Sequence, residues 1–330
     1  MLEKSTLTLL KGKKNLLAFS AGGDSTALFF LLLEHDICFD IAIVDYGIRA
    51  QSKEEVQYAK DLASLHNLKC HIHHSHPIEK NFEAKARTIR YDFFHKLIHQ
   101  HHYVNLLTAH HLGDRFEWML MQFCKGAGAV ELAGMNKVQK RDTFQLVRPL
   151  LHLDKQELLH YLDSKKIRYF EDESNQNTDI KRNAFRHNYA TPLLRKYRDG
   201  IQKSFEYLDE DKELLTPYIE LHHIGTLTYF ASNTPRANIY TIDKHLKSLG
   251  YMASAKEKMA LKSEETSVLG RKFVVNKTKK YIFITPFINS VDVMDKEFKE
   301  QCRVLKIPIK LRTYLFQNQE AFTQVKKLLS

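Results

Sequence analysis

Several groups of side chains in this sequence could do chemistry. Ser20-Ala21-Gly22-Gly23-Asp24-Ser25 lies between the apolar runs Asn15–Phe19 and Thr26–Leu33. The first run has the length of a buried strand and the second the composition of a helix, so the small residues fall at a strand-to-helix turn. Free N–H groups at the positive end of that helix would hold a di- or triphosphate, and glycine there lets phosphate oxygens approach the main chain. The turn lacks the Lys-Ser/Thr of a Walker loop and the spaced glycines of a dinucleotide fold. Asp114 and Glu117 stand three apart in the first turn of a second helix. They could receive an ammonium group or help hold Mg²⁺, although acids in a first turn also suit the helix dipole alone. His110 and His111 precede them; no further zinc ligand stands in register, so we assign them to shaping a pocket.

Three arginine and aspartate groups follow the same logic. Arg87 and Arg90 share a helix face and could grip phosphate or steady charge on a transferred nucleotidyl group, the plain alternative being a solvated basic face. Arg182 and Arg186, four apart after the acidic Asp172-Glu173-Ser174-Asn175, suit phosphate or an RNA backbone, or else intrahelical ion pairing. Asp45 ends an apolar strand, where it could accept from a ribose or simply make a turn. His71, His73, His74 and His76 read as a polar strand end, and no metal is expected there.

The elements that must position these groups alternate. Leu16–Ser20, Ile41–Asp45, Lys69–His73 and Val104–His110 read as strands; Asp24–Glu34, Gln51–Asn67 and Phe82–His101 read as helices. That order predicts an α/β fold with a doubly wound parallel sheet, whose ligands sit beyond the carboxyl ends of the strands. Residues 153–198 look helical around a polar stretch at 171–177, and 201–222 reads as a charged helix. The segment 223–290 mixes short β-like runs, such as Lys272–Val275 and Tyr281–Thr285, with one helical pattern. We expect a nucleotide-binding domain over 1–150, a helical extension over 151–200, and a smaller α+β region over 201–330.

Composition narrows the partners. The 330 residues carry 50 Lys and Arg against 39 Asp and Glu, a net charge of +11, which points to a polyanion, nucleic acid first. No apolar stretch has membrane-spanning length and the N-terminus lacks signal-peptide architecture, so a cytoplasmic protein is expected. Cys38, Cys70, Cys124 and Cys302 are scattered and imply neither a disulfide scaffold nor a zinc ribbon.

The loop at 20–25 resembles the SGGxDS loop of the ATP-pyrophosphatase (PP-loop) superfamily. With Val44–Arg49, Ala86-Arg87, Thr108–His111, Asp114, Glu117, Lys125–Gly128, Gly134-Met135, Arg148–Leu151, Asp172–Asn175, Arg182-Asn183 and Arg186 in this order, the chain is similar to the tRNA(Ile)-lysidine synthetase family over roughly residues 14–195. The resemblance implies an adenine-nucleotide alpha-hydrolase-like fold. It makes 1–150 an ATP-binding catalytic domain, 151–200 the part that completes its site and 201–330 a tRNA-binding region. It implies ATP as substrate, with Mg²⁺ held through its phosphates and Asp24. It also implies transfer of L-lysine to the wobble cytidine of a tRNA(Ile) with a CAU anticodon, through an adenylated cytidine. On this reading Ser20, Ala21, Gly22, Gly23, Asp24, Ser25, Asp45 and His110 bind ATP, and Asp114 and Glu117 bind lysine. Asp24, Arg87, Asp114, Glu117 and Arg186 act in catalysis, Arg182 and Arg186 touch RNA, and a homodimer is allowed.

The sequence departs from the family in three places. Ala21 replaces a usual glycine, Gly113-Asp114-Arg115 stands where Asp-Asp-Gln is usual, and Tyr46 replaces a His. Two other readings compete: a thiolase-like tRNA enzyme of the same superfamily, for which the paired or clustered cysteines are missing, and a catalytically idle tRNA-binding protein.

Overall fold

The computed structural model describes residues 1–47, 51–78, 81–141, 143–171, 181–289 and 293–330. Ile48 and Arg49 of the second-strand motif and the acidic group Asp172–Asn175 lie outside the described residues. Two compact units form, Met1–Glu210 and Asp211–Ser330.

The first unit runs α1 (Lys4–Leu10), β1 (Asn15–Ala18), α2 (Gly23–Glu34), β2 (Phe39–Asp45), α3 (Gln51–Leu65), β3 (Cys70–His74), α4 (Phe82–His101), β4 (Asn105–Leu107), α5 (Leu112–Phe123) and α6 (Ala129–Leu132). It continues through β5 (Val138–Lys140), β6 (Gln145–Val147), α7 (Lys155–Ser164), α8 (Lys181–Phe185), a π-helical turn at Arg186–Ala190, and α9 (Thr191–Leu215), within which the two units divide. The sheet order is β3-β2-β1-β4-β6-β5, with every pair parallel except β5 against β6. The doubly wound parallel sheet read from the sequence is therefore present, with an added antiparallel edge strand.

Successive strand residues face opposite layers, so a sheet covered on both sides needs continuous apolar strands. Leu17, Ile41, Ile43, Leu107 and Val147 pack in one layer with Phe29, Leu32, Val56, Leu158 and Leu162 of α2, α3 and α7. Their neighbours Leu16, Ala42, Leu106 and Leu146 pack in the other with Phe94, Leu97 and Ile98 of α4. Helix α2 is apolar almost all round and central to its layer, as Phe29, Leu31 and Leu32 show by their burial. Strand order reverses at β1, whose neighbours are β2 and β4. The crevice of such a sheet opens there, beyond the carboxyl ends of β1 and β4. It is the place where Ser20–Ser25 and His110–Glu117 emerge.

The second unit holds β7 (His222–Ile224), β8 (Leu227–Ala231), α10 (Pro235–Ser248), α11 (Ala255–Ser263), β9 (Thr266–Leu269), β10 (Phe273–Lys277), β11 (Tyr281–Pro286), α12 (Lys296–Val304), α13 (Ile309–Gln317) and α14 (Gln319–Leu329). Its antiparallel sheet has the order β7-β8-β11-β10-β9. Phe283 faces the core built by α12, α13 and α14, while Ile282 and Ile284 face Ile242, Leu246 and Leu261 of α10 and α11.

Two expectations for this half are corrected. The charged helix read over 201–222 is the end of α9 and stops at Leu215, because Pro217 lacks an N–H and disfavours a helical residue before it. The stretch 223–290 holds two helices rather than one, each with its own start: Thr234 before Pro235, and the reciprocal pair Ser254 and Glu257.

Candidate active site

The loop after β1 secures itself and leaves α2 uncapped. Ser25 Oγ accepts from the Ser20 N–H at 3.2 Å, lies 3.1 Å from Ser20 Oγ, and donates to the Gly22 carbonyl at 3.1 Å. No side chain caps the start of α2 at Gly22, so the N–H groups of its first turn remain for a phosphate. A β-carbon at Gly23 would stand 3.0 Å from Leu159 Cδ2 and 3.4 Å from Tyr169 Cδ2, so α7 and the chain after it hold the loop to a glycine.

Ala21 takes a left-handed conformation with φ 59°, which costs a residue with a β-carbon roughly 1 kcal/mol. Its methyl is fully buried in the core rather than turned to the phosphate side, which returns about 0.8 kcal/mol. The Ala21 carbonyl also accepts from the Phe170 N–H at 3.0 Å. The alanine thus fits the loop at little net cost.

Helix α5 begins at the crevice. His111 is its N-cap: Nδ1 accepts from the Gly113 N–H at 3.0 Å, and the His111 N–H donates to Asp114 Oδ2 at 3.1 Å. The accepting role of Nδ1 leaves the ring proton on Nε2, which lies 3.6 Å from Asp114 Oδ2 and 3.8 Å from Asp24 Oδ2. His111 therefore stands between the phosphate loop and the acidic pair. A β-carbon at Gly113 would approach the His111 ring to 2.7 Å, so the glycine in place of an acid is what lets the imidazole fold over the helix start. Arg115, in place of a Gln, is buried: it donates to the Ala133 carbonyl at 2.7 and 2.9 Å and to Asp209 at 2.5 Å, with its guanidinium 4.3 Å from the Phe205 ring. It ties α5 to α9 and faces away from any substrate role.

Asp114 and Glu117 are buried, and both are held by arginines from the chain after 180. Arg182 donates to Asp114 Oδ1 at 2.7 Å and Glu117 Oε2 at 3.0 Å; Arg186 donates to Glu117 Oε1 at 2.5 Å and lies 3.7 Å from Asp114 Oδ1. Burial alone would raise the Asp114 carboxyl, but His111, His110, Arg182 and the His111 N–H outweigh it and hold the group well below the usual carboxylate range. Burial lowers the Arg186 pKa, and the Glu117 bond with the nearby Asp114 and Asp24 charges reverses that to a net rise. Of the two uses open to Arg182 and Arg186, the structure places them in ion pairs, between helices rather than within one.

Asp24 completes the cluster. Its Oδ1 is buried and has no hydrogen-bond partner among the described residues. A buried carboxylate oxygen without a partner at the start of α2 is of the hard type that would suit a Mg²⁺.

The remaining residues read from the sequence make the following contacts. Asp45 accepts from the Gly47 N–H at 2.8 Å and pairs with His74 Nδ1 at 3.2 Å, the arrangement of a strand-ending turn. Tyr46 donates to the Ala86 carbonyl at 3.0 Å and so docks β2 on α4. Arg87 is exposed, with its guanidinium 4.8 Å from the Tyr91 ring. His71 Nε2 pairs with Tyr103 Oη at 2.8 Å, and His73 stacks on Phe93. Sequence reasoning gave His111 a part in shaping a pocket but missed its position between Asp24 and Asp114, which its place directly before the helix start could have signalled.

His110 yields a pH dependence. Its Nδ1 lies 2.9 Å from Thr108 Oγ1, and burial first, then Arg148, Arg182 and Arg87, lower its pKa to about 4 against the opposing pull of Asp114. The unfolded chain binds this proton near pH 6.5 and the folded chain only near 4, so stability is fully present above 6.5 and falls as pH drops through that window. The loss reaches about 3 kcal/mol at its acid end. Asp114, whose folded pKa is depressed, adds a further loss below its unfolded value. Denaturant titrations at pH 7.5, 6 and 5 should show the decline, and His110→Gln should flatten it; an equal decline in the variant would remove His110 as its source.

Comparisons with known proteins give the family and the fold. Residues 2–193 match the PP-loop domain family. A tRNA(Ile)-lysidine synthase of Helicobacter pylori is 43% identical over 95% of this chain and 92% of its own length. Those of Wolinella succinogenes and Campylobacter jejuni are 44% and 40% identical over 93% and 95% of this chain and 94% and 95% of their own lengths. The solved structure of a U34-tRNA thiolase of Methanococcus maripaludis matches with a TM-score of 0.52 at 16% identity, covering 63% of this chain and 75% of that one, a likeness of fold alone.

Proposed function

This chain belongs to the tRNA(Ile)-lysidine synthase family of PP-loop proteins, and from that premise we propose how its residues divide the reaction. The family is one of ATP-using ligases that form a carbon–nitrogen bond on tRNA. The proposed substrates are a tRNA(Ile) with a CAU anticodon and free L-lysine. In the first step the C2 carbonyl oxygen of the wobble cytidine attacks the α-phosphorus of ATP, the α–β bond breaks and pyrophosphate leaves. In the second the lysine amine attacks C2, the C2–O bond breaks and AMP departs with that oxygen, while the amine gives up its proton.

The loop Ser20–Ser25 and the uncapped start of α2 hold the phosphates. Asp24 Oδ1 would hold Mg²⁺ together with the phosphates, and the ion would supply charge neutralisation for the leaving pyrophosphate. His110, mostly neutral at pH 7 because its pKa is about 4, lines the nucleotide side without adding charge. Arg87 is exposed and is the arginine we assign to the adenylyl phosphate. Asp114 and Glu117 receive the lysine ammonium and take its proton.

Before lysine binds, Arg182 and Arg186 neutralise that pair, so the incoming ammonium competes with guanidinium groups already in place. A buried acidic pair left without a cation would be costly, and this exchange avoids that state. Contact of Arg182 and Arg186 with RNA, a grip on tRNA by residues 201–330, a homodimer and a cytoplasmic setting belong to the same proposal. No helix among the described residues is long and apolar enough to cross a membrane.

The observation that carries the reading is the junction of two kinds of site through one side chain. His111 stands within 3.8 Å of the phosphate-loop Asp24 and within 3.6 Å of Asp114, so a nucleotide and an amine would meet there. The proposal is tested by omitting lysine: ATP and the CAU transcript together should give a pyrophosphate burst of about one equivalent per tRNA, with none from ATP alone. Burst-free mixtures, or a burst indifferent to tRNA, would sink it.

A further inference from the structure

The protein has a single tryptophan, Trp118, and it is 45% exposed beside the most buried acid of the site. On α5 it stands four residues after Asp114 and so shares that residue's face one turn farther along the helix, while Glu117, its neighbour in sequence, lies about a quarter-turn round. The backbone of Gly134, with φ 67°, lies against the indole; a β-carbon there would sit 3.1 Å from Trp118 Cδ1. One edge of the ring is thereby braced by the chain while nearly half the side chain faces solvent. Nothing in the core accounts for the indole's position, since it joins neither of the clusters that flank the sheet.

We infer that Trp118 is a stacking residue for a base adjoining the wobble cytidine, and this rests on the proposed lysidine reaction. A cytidine that reaches Asp114 and Glu117 must leave its stack in the anticodon loop, and its neighbour then exposes a π-face. An indole one helical turn from Asp114 and next in sequence to Glu117 offers that face a partner of the sequence-tolerant kind used for single-stranded RNA. The occupant is thus an unstacked nucleotide of the anticodon loop, and the +11 net charge favours such an approach.

Because Trp118 is the sole tryptophan, its fluorescence reports on this position alone. Titration with the CAU transcript should quench it saturably, and making one of the two nucleotides beside the wobble cytidine abasic should remove most of the quench. Trp118→Ala should raise KM for tRNA roughly tenfold, with the larger share of the change in KM rather than kcat, and Trp118→Phe should recover most of the loss. The inference is overturned by a quench that survives both abasic substitutions, by an unchanged KM in Trp118→Ala, or by a fluorescence change with protein concentration alone, which would mark a contact between copies. Lysine incorporation by the wild type is followed in parallel. Incorporation with an unchanged KM refutes the stacking role only, whereas no incorporation refutes the lysidine reading and this inference with it.

Discussion

Asp114→Asn is expected to lower lysine transfer about a thousandfold while pyrophosphate release on tRNA continues. The substitution keeps an oxygen able to accept from the His111 N–H, so the start of α5 survives. What it removes is one of two buried negative charges, leaving Glu117 to serve Arg182, Arg186 and an incoming ammonium together. Removing one partner of a buried charge pair costs about 3–5 kcal/mol, which is two to four powers of ten in rate when the pair acts on the transition state. The checks are AMP release and label from lysine, measured on the same samples with tRNA binding. A folded variant that had lost tRNA binding would contradict the role assigned to Asp114.

Asp24→Asn is the complementary case, and both steps should fall together by about two to three powers of ten. Its Oδ1 is buried, without a partner, at the start of the helix that receives the phosphates. An amide in that place either turns an N–H₂ group toward a cation or offers a neutral oxygen, and both weaken stabilisation of the leaving pyrophosphate. His111 Nε2 at 3.8 Å from the other carboxylate oxygen loses only a long-range attraction, so the helix cap at His111 should hold. Pyrophosphate release and lysine incorporation measured side by side then separate the two aspartates: Asp24→Asn stops both signals and Asp114→Asn stops one. Normal pyrophosphate release by folded Asp24→Asn would remove Asp24 from the first step.

The parts of this protein that sequence made legible are those whose chemistry is local. Ser20–Ser25 reads as a phosphate turn only together with its companion motifs, since small residues between a strand and a helix also make ordinary turns, and the alternation of apolar runs around it names the parallel sheet. Asp114 and Glu117 are visible because a three-residue spacing on a helix is a statement about one face. The closing of that face by Arg182 and Arg186 was not visible: it joins residues more than sixty positions apart, and spacing within either segment is silent about it. Gly113 and Arg115 looked like losses from a motif, yet each has a cause in three dimensions, the His111 ring over one and Ala133 and Asp209 at the other. Ala21 similarly turns its methyl inward, which its burial in the core reveals. In the second unit, short strands such as Thr266–Leu269 and Leu227–Ala231 carry too few residues for a periodicity to stand out.

The measurement that bears most directly on the account is transfer of radiolabelled lysine. Purified protein, ATP and Mg²⁺ are incubated with a CAU-anticodon isoleucine tRNA transcript, beside a methionine tRNA with the same anticodon. The account predicts label in acid-precipitable isoleucine tRNA alone, surviving mild alkaline deacylation because it is held by a carbon–nitrogen bond to the base rather than by an ester. No label in either tRNA, from protein that binds both ATP and tRNA, would contradict it.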